Sequence, residues 1–189
     1  MKGYIYTMFK GADPAEGWEM TDPIFKPVPT MGACMPNIRR VVVPGDYIFM
    51  VSGRVPKVQQ YVVGGFQVAE KIDALAARDR FPENLLAGQA GKNRTGNIIV
   101  NEDGTQDPLD YHGNFDKRIA NYLVGTKPVL VETPPEVARS RKETLTELAG
   151  LFGKRGREVY EVMGRWRRLD SAQIDDLLGW LKAIKTSEA

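Results

Sequence analysis

One cysteine and one histidine are all that this 189-residue chain carries of the two side chains most often used to ligate metals and to build nucleophiles. A lone cysteine forms no internal disulfide, which fits a reducing, cytoplasmic setting. Carboxylates do not cluster at ligand spacing either, so no metal and no cofactor are expected. No apolar run approaches the roughly 20 residues that span a bilayer, so no membrane association is expected. The N-terminal MKGYIYTMFKGAD lacks a continuous apolar core and a small-residue cleavage site, which argues against a signal peptide. The Gly-rich GQAGKNRTG (88–96) lacks P-loop spacing and does not open an apolar helix; it reads as an exposed loop. Excess charge of one sign is also scarce. The 26 basic and 24 acidic residues leave +2, which by itself does not point to nucleic acid.

What is present is an ordinary globular composition, 42% hydrophobic and 26% charged, in a chain long enough for one domain and a small appendage. Short runs rich in Val, Ile, Tyr and Phe, bounded by Gly, Pro or Asp, predict strands at 4–8, 38–43, 47–52, 60–70, 97–101 and 129–132. Pro44-Gly45 turns the chain between the second and third, because Pro presets its backbone angle and Gly accepts positive φ. Gly64-Gly65 predicts a bulge or bend in the longest run. Helices are expected over 72–79 and 119–123.

At Thr133 the pattern changes to helical spacing. Thr133-Pro-Pro-Glu136 is a helix-start signature, and Val137, Leu145, Leu148 and Phe152 follow on one face. Val159, Val162, Met163 and Trp166 suit a further helix. Asp170-Ser-Ala-Gln173 repeats the capping pattern ahead of Ile174, Leu177, Leu178, Leu181 and Ile184. The residues alone thus give a β-rich domain followed by a helical tail. Within the tail, GKRGREVYEVMGRWRR (153–168) holds six basic and two acidic residues, a local +4. Arg155, Arg157, Arg165, Arg167 and Arg168 are candidates for nucleic-acid backbone contacts, against the plainer reading of a solvated helix face. The helix after a short turn is compatible with a helix-turn-helix.

The strand-end segment TMGACMPNIR (30–39), with Gly45-Asp46-Tyr47, the Val68-Ala69-Glu70 strand end, Gly96-Asn97-Ile98 and Tyr111-His112, resembles the nucleotide-modification-associated domain family, grouped with PUA-like barrels. The resemblance covers roughly residues 1–132. It implies an α+β fold: a small PUA-like β-barrel with short helices over 1–132, then a helical extension over 133–189. It also implies association with modified nucleic-acid bases, without an established reaction. Planar bases stack on aromatic faces, which suggests a pocket among Tyr4, Tyr6, Trp18, Tyr47, Tyr61 and Phe66, although each ring could equally fill the core. The ligand-binding candidates are Tyr6, Trp18, Thr30, Cys34, Asn37, Arg39, Tyr61, Asn97 and His112. Arg39 and Arg40 on a strand would point to opposite sides, and Arg39 occupies the arginine position of the motif.

The expected role is a nucleic-acid or nucleotide binding module that reads a modified base in the barrel. One alternative is an enzyme acting on a nucleotide or modified base, with Cys34 as nucleophile and His112, Asp46 or Glu70 as acid–base groups, although no recognisable catalytic constellation supports it. The other is an adaptor that docks a protein partner or a second copy through the C-terminal helices.

Overall fold

The computed structural model describes residues 1–89 and 92–186. Its first elements are β1 (Gly3–Thr7), β2 (Thr30–Met31), α1 (Pro36–Val41), β3 (Tyr47–Val51) and β4 (Val62–Ile72). They are followed by α2 (Ala74–Arg80), β5 (Ala87–Gln89), β6 (Lys92–Thr95), α3 (Phe115–Ile119) and β7 (Tyr122–Leu130). The chain ends in α4 (Pro134–Phe152), α5 (Val159–Met163), β8 (Trp166–Leu169) and α6 (Ser171–Thr186).

Hydrogen bonding orders six strands β2-β7-β4-β3-β1-β8, while β5 and β6 form a separate hairpin. Strand β1 runs parallel to β3, and the β1–β8, β3–β4 and β2–β7 pairs are antiparallel. The order starts at β2 and stops at β8, so the sheet is mixed and open. This corrects the PUA-like barrel expected over 1–132. Closure requires the two terminal strands to pair with a consistent stagger. Here one terminal strand is only the two residues Thr30–Met31, and the other is supplied by the tail. The α+β class stands; the barrel does not.

The chain divides into two compact units. The first contains Met1–Trp18, Gly45–Gln67 and the chain from Lys127 onward. Its strands β1 and β3 are apolar because both faces are covered: Ile5, Ile48, Phe49, Met50 and Val51 are all buried. Helix α6 turns Ile174, Leu177, Leu181 and Ile184 inward, each contributing about 1.5–3 kcal/mol by burial. At Gly3, α6 packs tightly on β1: a Cβ there would lie 2.8 Å from Cγ1 of Ile174. Helix α4 begins with the capping box read from Thr133 and Glu136, and α6 with a reciprocal pair in which the Gln173 N–H donates to Asp170 at 2.9 Å. The buried line of α4 is mostly polar: Glu136, Ser140 and Thr144, followed by Leu148. Ser140 donates to the carbonyl of Val62 at 3.1 Å, and Thr144 accepts from the N–H of Val62 at 2.9 Å. These two side chains satisfy both backbone groups of Val62 where the β3–β4 register shifts, beside Gly64. The bend expected at Gly64-Gly65 is this bulge.

The second unit contains Glu19–Pro44 and Val68–Thr126. Ala74, Ala77, Phe81, Ile98, Val100, Tyr122 and Val124 form its core.

Several local expectations change. The helix expected at 119–123 is instead the end of α3 and the start of β7, and the strand expected at 129–132 is the end of β7. The strand expected at 38–43 is helix α1, started by Pro36 at its first turn and burying Ile38 and Arg39. Residues 97–101 make only isolated bridges, at Ile98 and Val100. The segment 88–96 contributes to the β5–β6 hairpin, while Ala90 and Gly91 lie outside the described residues. In the tail, Trp166 belongs to strand β8 rather than a helix, and this strand between α5 and α6 rules out the helix-turn-helix reading. Among the described residues, no helix is long and apolar enough to cross a membrane.

Candidate functional site

In the second unit, Asp22, Thr30, Asn84, Asn97 and Tyr122 build a buried polar frame under the loop that leads into α1. Asp22 accepts from the backbone N–H groups of Gly32 and Ala33, each at 2.9 Å, and from that of Cys34. Three successive N–H groups converging on one carboxylate form an anion nest, and here the protein's own side chain fills it. Asn97 donates to Asp22 at 3.1 Å and to the hydroxyl of Thr30 at 3.2 Å, and accepts from the Tyr122 hydroxyl at 2.8 Å. Asn84 donates to both Thr30 and Tyr122. Gly32 is required because a Cβ would run into the Tyr122 ring and the Asn97 carbonyl.

Arg39 is 0% exposed. Its guanidinium donates to the carbonyls of Cys34 at 2.7 Å, Ala33 at 3.2 Å and Arg118 at 2.9 Å, and to that of Asn121. It ties α1 to the end of α3 and the residues just after it. A phosphate could reach Arg39 only if this frame opened. The exposed neighbour Arg40 instead faces a cleft of about 280 Å³, shared with Asn37, Pro36, Lys117 and Asn121. Of the ligand-binding candidates, Asn37 therefore lines an open concavity, whereas Thr30, Arg39 and Asn97 are part of the frame.

Between them lies a strained elbow. Met35 sits at φ 48° and ψ 52°, immediately before Pro36. Left-handed backbone at a long side chain costs about 1–3 kcal/mol, which the hydrogen bonds of Asp22 and Arg39 offset. Cys34 is exposed as a residue, yet its thiol is closely surrounded. Burial, reinforced by the charge and hydrogen bond of Asp22, pushes the thiol up to about 12. A thiol this weakly acidic is a poor nucleophile at neutral pH. His112 is engaged elsewhere: its Nδ1 lies 2.9 Å from the buried carboxylate of Asp110, and its ring stacks on the exposed Tyr111 at 4.6 Å. Among the described residues, no group of three or more His, Cys, Asp or Glu side chains could hold a metal.

Among the described residues of the first unit, the expected aromatic base pocket is absent. Tyr6 is 2% exposed and Tyr61 1%, and Tyr4, Tyr47 and Phe66 are buried with them in the core. Tyr47 stacks on Phe49, and Arg141 lies 4.8 Å from the Tyr61 ring while donating to Asp13 at 3.0 Å. Trp18 packs edge-on against Phe9 at 5.3 Å. These rings fill the core or cover one another. With an open sheet and, among the described residues, no convergent aromatic cluster, the expected reading of a modified base inside a barrel is overturned.

The basic tail segment has a different character. Arg155, Arg157, Arg165 and Arg168 are exposed. Arg167 is half-buried, its guanidinium 4.8 Å from the Phe152 ring and its Nη1 3.2 Å from the Val162 carbonyl. Nearby acidic groups are partly occupied. Glu158 pairs with Arg54 at 3.2 Å, and Glu161 accepts from the Arg157 N–H at 2.6 Å. Strand alternation sets Trp166 and Arg168 on one face of β8 and Arg167 on the other. Trp166 is 45% exposed and its ring centroid lies 6.2 Å from that of the buried Tyr4. An exposed indole among arginines on an edge strand is equipped to stack on a planar group and to neutralise phosphates.

Sequence reasoning misses Asp22, Asn84, Asp110, Arg118 and Tyr122. Asp22 and Arg118 have partners far along the chain, 75 residues for Asp22 with Asn97 and 85 for Arg118 with Ala33, whereas Asp110 meets Gln106, His112 and Arg118 within eight residues, in a loop with no helical or strand spacing to mark them. Trp166 reads from spacing as a helix residue, although its basic neighbours are a usable signal. Neither the protein-family models nor the curated proteins compared with this chain give a match.

Proposed function

We propose that this protein binds nucleic acid through its phosphate backbone, using the exposed basic surface of residues 154–168. The observation that carries this reading is the exposure of Arg155, Arg157, Arg165 and Arg168 in a segment whose two glutamates are engaged by Arg54 and by the Arg157 backbone. Guanidinium groups donate in a planar fork that matches phosphate oxygens, and each phosphate they neutralise releases condensed counterions. Binding of this kind is tolerant of sequence, because phosphates position a strand without reading it. A cytoplasmic setting, which the single cysteine favours, accords with this role.

Fluorescence anisotropy with labelled oligonucleotides across a salt series tests it. The double variant Arg165→Gln/Arg168→Gln is expected to bind all sequences more weakly, by similar factors. Its slope of log K against log salt should flatten by up to ~0.9 for each duplex phosphate no longer neutralised, or ~0.7 on a single strand. An unchanged affinity and slope would return these arginines to the role of a solvated surface.

A further inference from the structure

We infer that the nucleic acid held at this surface is single-stranded, with one unpaired base stacked on Trp166 and the adjoining phosphate met by Arg168. The inference rests on the phosphate-binding reading above and specifies its ligand. Trp166 is the first residue of β8 and pairs with Tyr6 of β1, while Arg168 pairs with Tyr4. Residues two apart on one strand share a face, so the indole and the Arg168 side chain stand side by side, about 6.6 Å apart along the strand. Arg167, pointing the other way, is anchored on Phe152 and the Val162 carbonyl, which fixes the strand between them. The backbone is held as well: the Thr7 N–H donates to the Arg165 carbonyl at 2.9 Å.

The indole is therefore supported rather than loose. The Tyr4 ring lies 6.2 Å away at an interplanar angle of 45°, itself buried to 6% exposure, and leaves Trp166 open toward solvent. An aromatic platform of this kind costs little entropy to engage and accepts any base, since every base has a π-face. Base pairs inside a duplex offer no such face without unstacking, so the platform discriminates by strandedness rather than by sequence. Among the described residues, β8 ends the sheet order and pairs with β1 alone.

The test compares a labelled oligothymidine with a duplex of equal length, using the full chain. Wild-type protein is expected to prefer the single strand. Trp166→Ala should lose about 5- to 100-fold in single-strand affinity, the usual effect of removing a stacking partner, and Trp166→Phe should recover most of it. Duplex affinity and both salt slopes should stay unchanged, because the arginines remain. Circular dichroism of Trp166→Ala against wild type establishes that the sheet edge is intact, and Trp166→Phe keeps the test decisive if it is not. Equal losses on single strand and duplex, or no loss on either, overturn the single-strand inference while leaving the phosphate reading standing. Failure of the wild type to bind either oligonucleotide overturns both.

Discussion

Asp110 receives both terminal nitrogens of Arg118, while the Nε of the same guanidinium reaches the Ala33 carbonyl at 3.2 Å. One buried guanidinium thus ties α3 both to Asp110 and to the loop that carries Cys34. His112 and Gln106 complete the carboxylate's shell, each at 2.9 Å. Burial works against the ionised form of Asp110, but the hydrogen bonds of Arg118, His112 and Gln106 outweigh it and hold the carboxyl below its ordinary range.

The sign of the resulting pH dependence follows from that direction. A carboxyl whose folded value is depressed stabilises the fold above its unfolded value of about 3.9 and loses that contribution as pH falls toward the folded value. Asp110→Asn should therefore cost about 3–5 kcal/mol at neutral pH, the usual effect of stranding a buried cation. The gap between wild type and variant should narrow as pH falls below about 5 and continue to narrow below about 3.9. Urea unfolding at several pH values measures it, and a gap constant with pH would show that Asp110 is not held low.

The Thr144–Val62 hydrogen bond makes a separate demand. Thr144→Val keeps the shape of the side chain but leaves the Val62 N–H without its 2.9 Å acceptor at the bulge. An unsatisfied buried donor costs about 1–3 kcal/mol. Denaturant midpoints should fall accordingly, with a comparable loss for Ser140→Ala, which removes the donor to the Val62 carbonyl. The two effects should not add, because both act on one residue's backbone.

Packing of α6 on β1 is tested at Gly3. The alanine Cβ in Gly3→Ala meets Ile174 at 2.8 Å, so the helix or the side chain must move, at a cost of about 1–3 kcal/mol. Adding Ile174→Val removes the second crowded atom, Cδ1, and should restore part of the loss. A double variant no more stable than Gly3→Ala alone would place the strain elsewhere.

These relationships differ in how far the chain announces them. The capping boxes at Thr133 and Asp170 are legible because donor and acceptor lie three residues apart. Strands β1, β3 and β4 are legible from their β-branched and aromatic runs. Helix α1 is not: Val41-Val42-Val43 favours extended backbone, and the helix wins through Pro36 at its first turn and the tertiary hydrogen bonds of Arg39. Strand β8 is hidden for a similar reason. Trp-Arg-Arg-Leu has no alternation of its own, and it becomes a strand by pairing with β1 at the other end of the sequence. Thr30, Arg39 and Asn97 share one role, the frame around Asp22, a residue that nothing in its own loop distinguishes.

Cys34 shows how that frame governs chemistry at the surface. Its thiol is pushed up to about 12 by burial and by Asp22, although the residue is exposed. At pH 8 an ordinary thiol near 8.5 is about one-quarter ionised, and one near 12 only about one part in 10⁴. The more basic thiolate is intrinsically more nucleophilic, with a Brønsted coefficient of about 0.4–0.5, which returns a factor of roughly 30–50. Alkylation by iodoacetamide should consequently run about 50- to 80-fold slower than for a free cysteine, and should still be rising at about pH 10. Mass spectrometry of timed aliquots gives the rate. Unfolding the chain in guanidinium should remove the retardation. Rapid labelling of the native protein, levelling off above about pH 9, would instead mean that the thiolate is stabilised, and would reopen the case for Cys34 as a nucleophile.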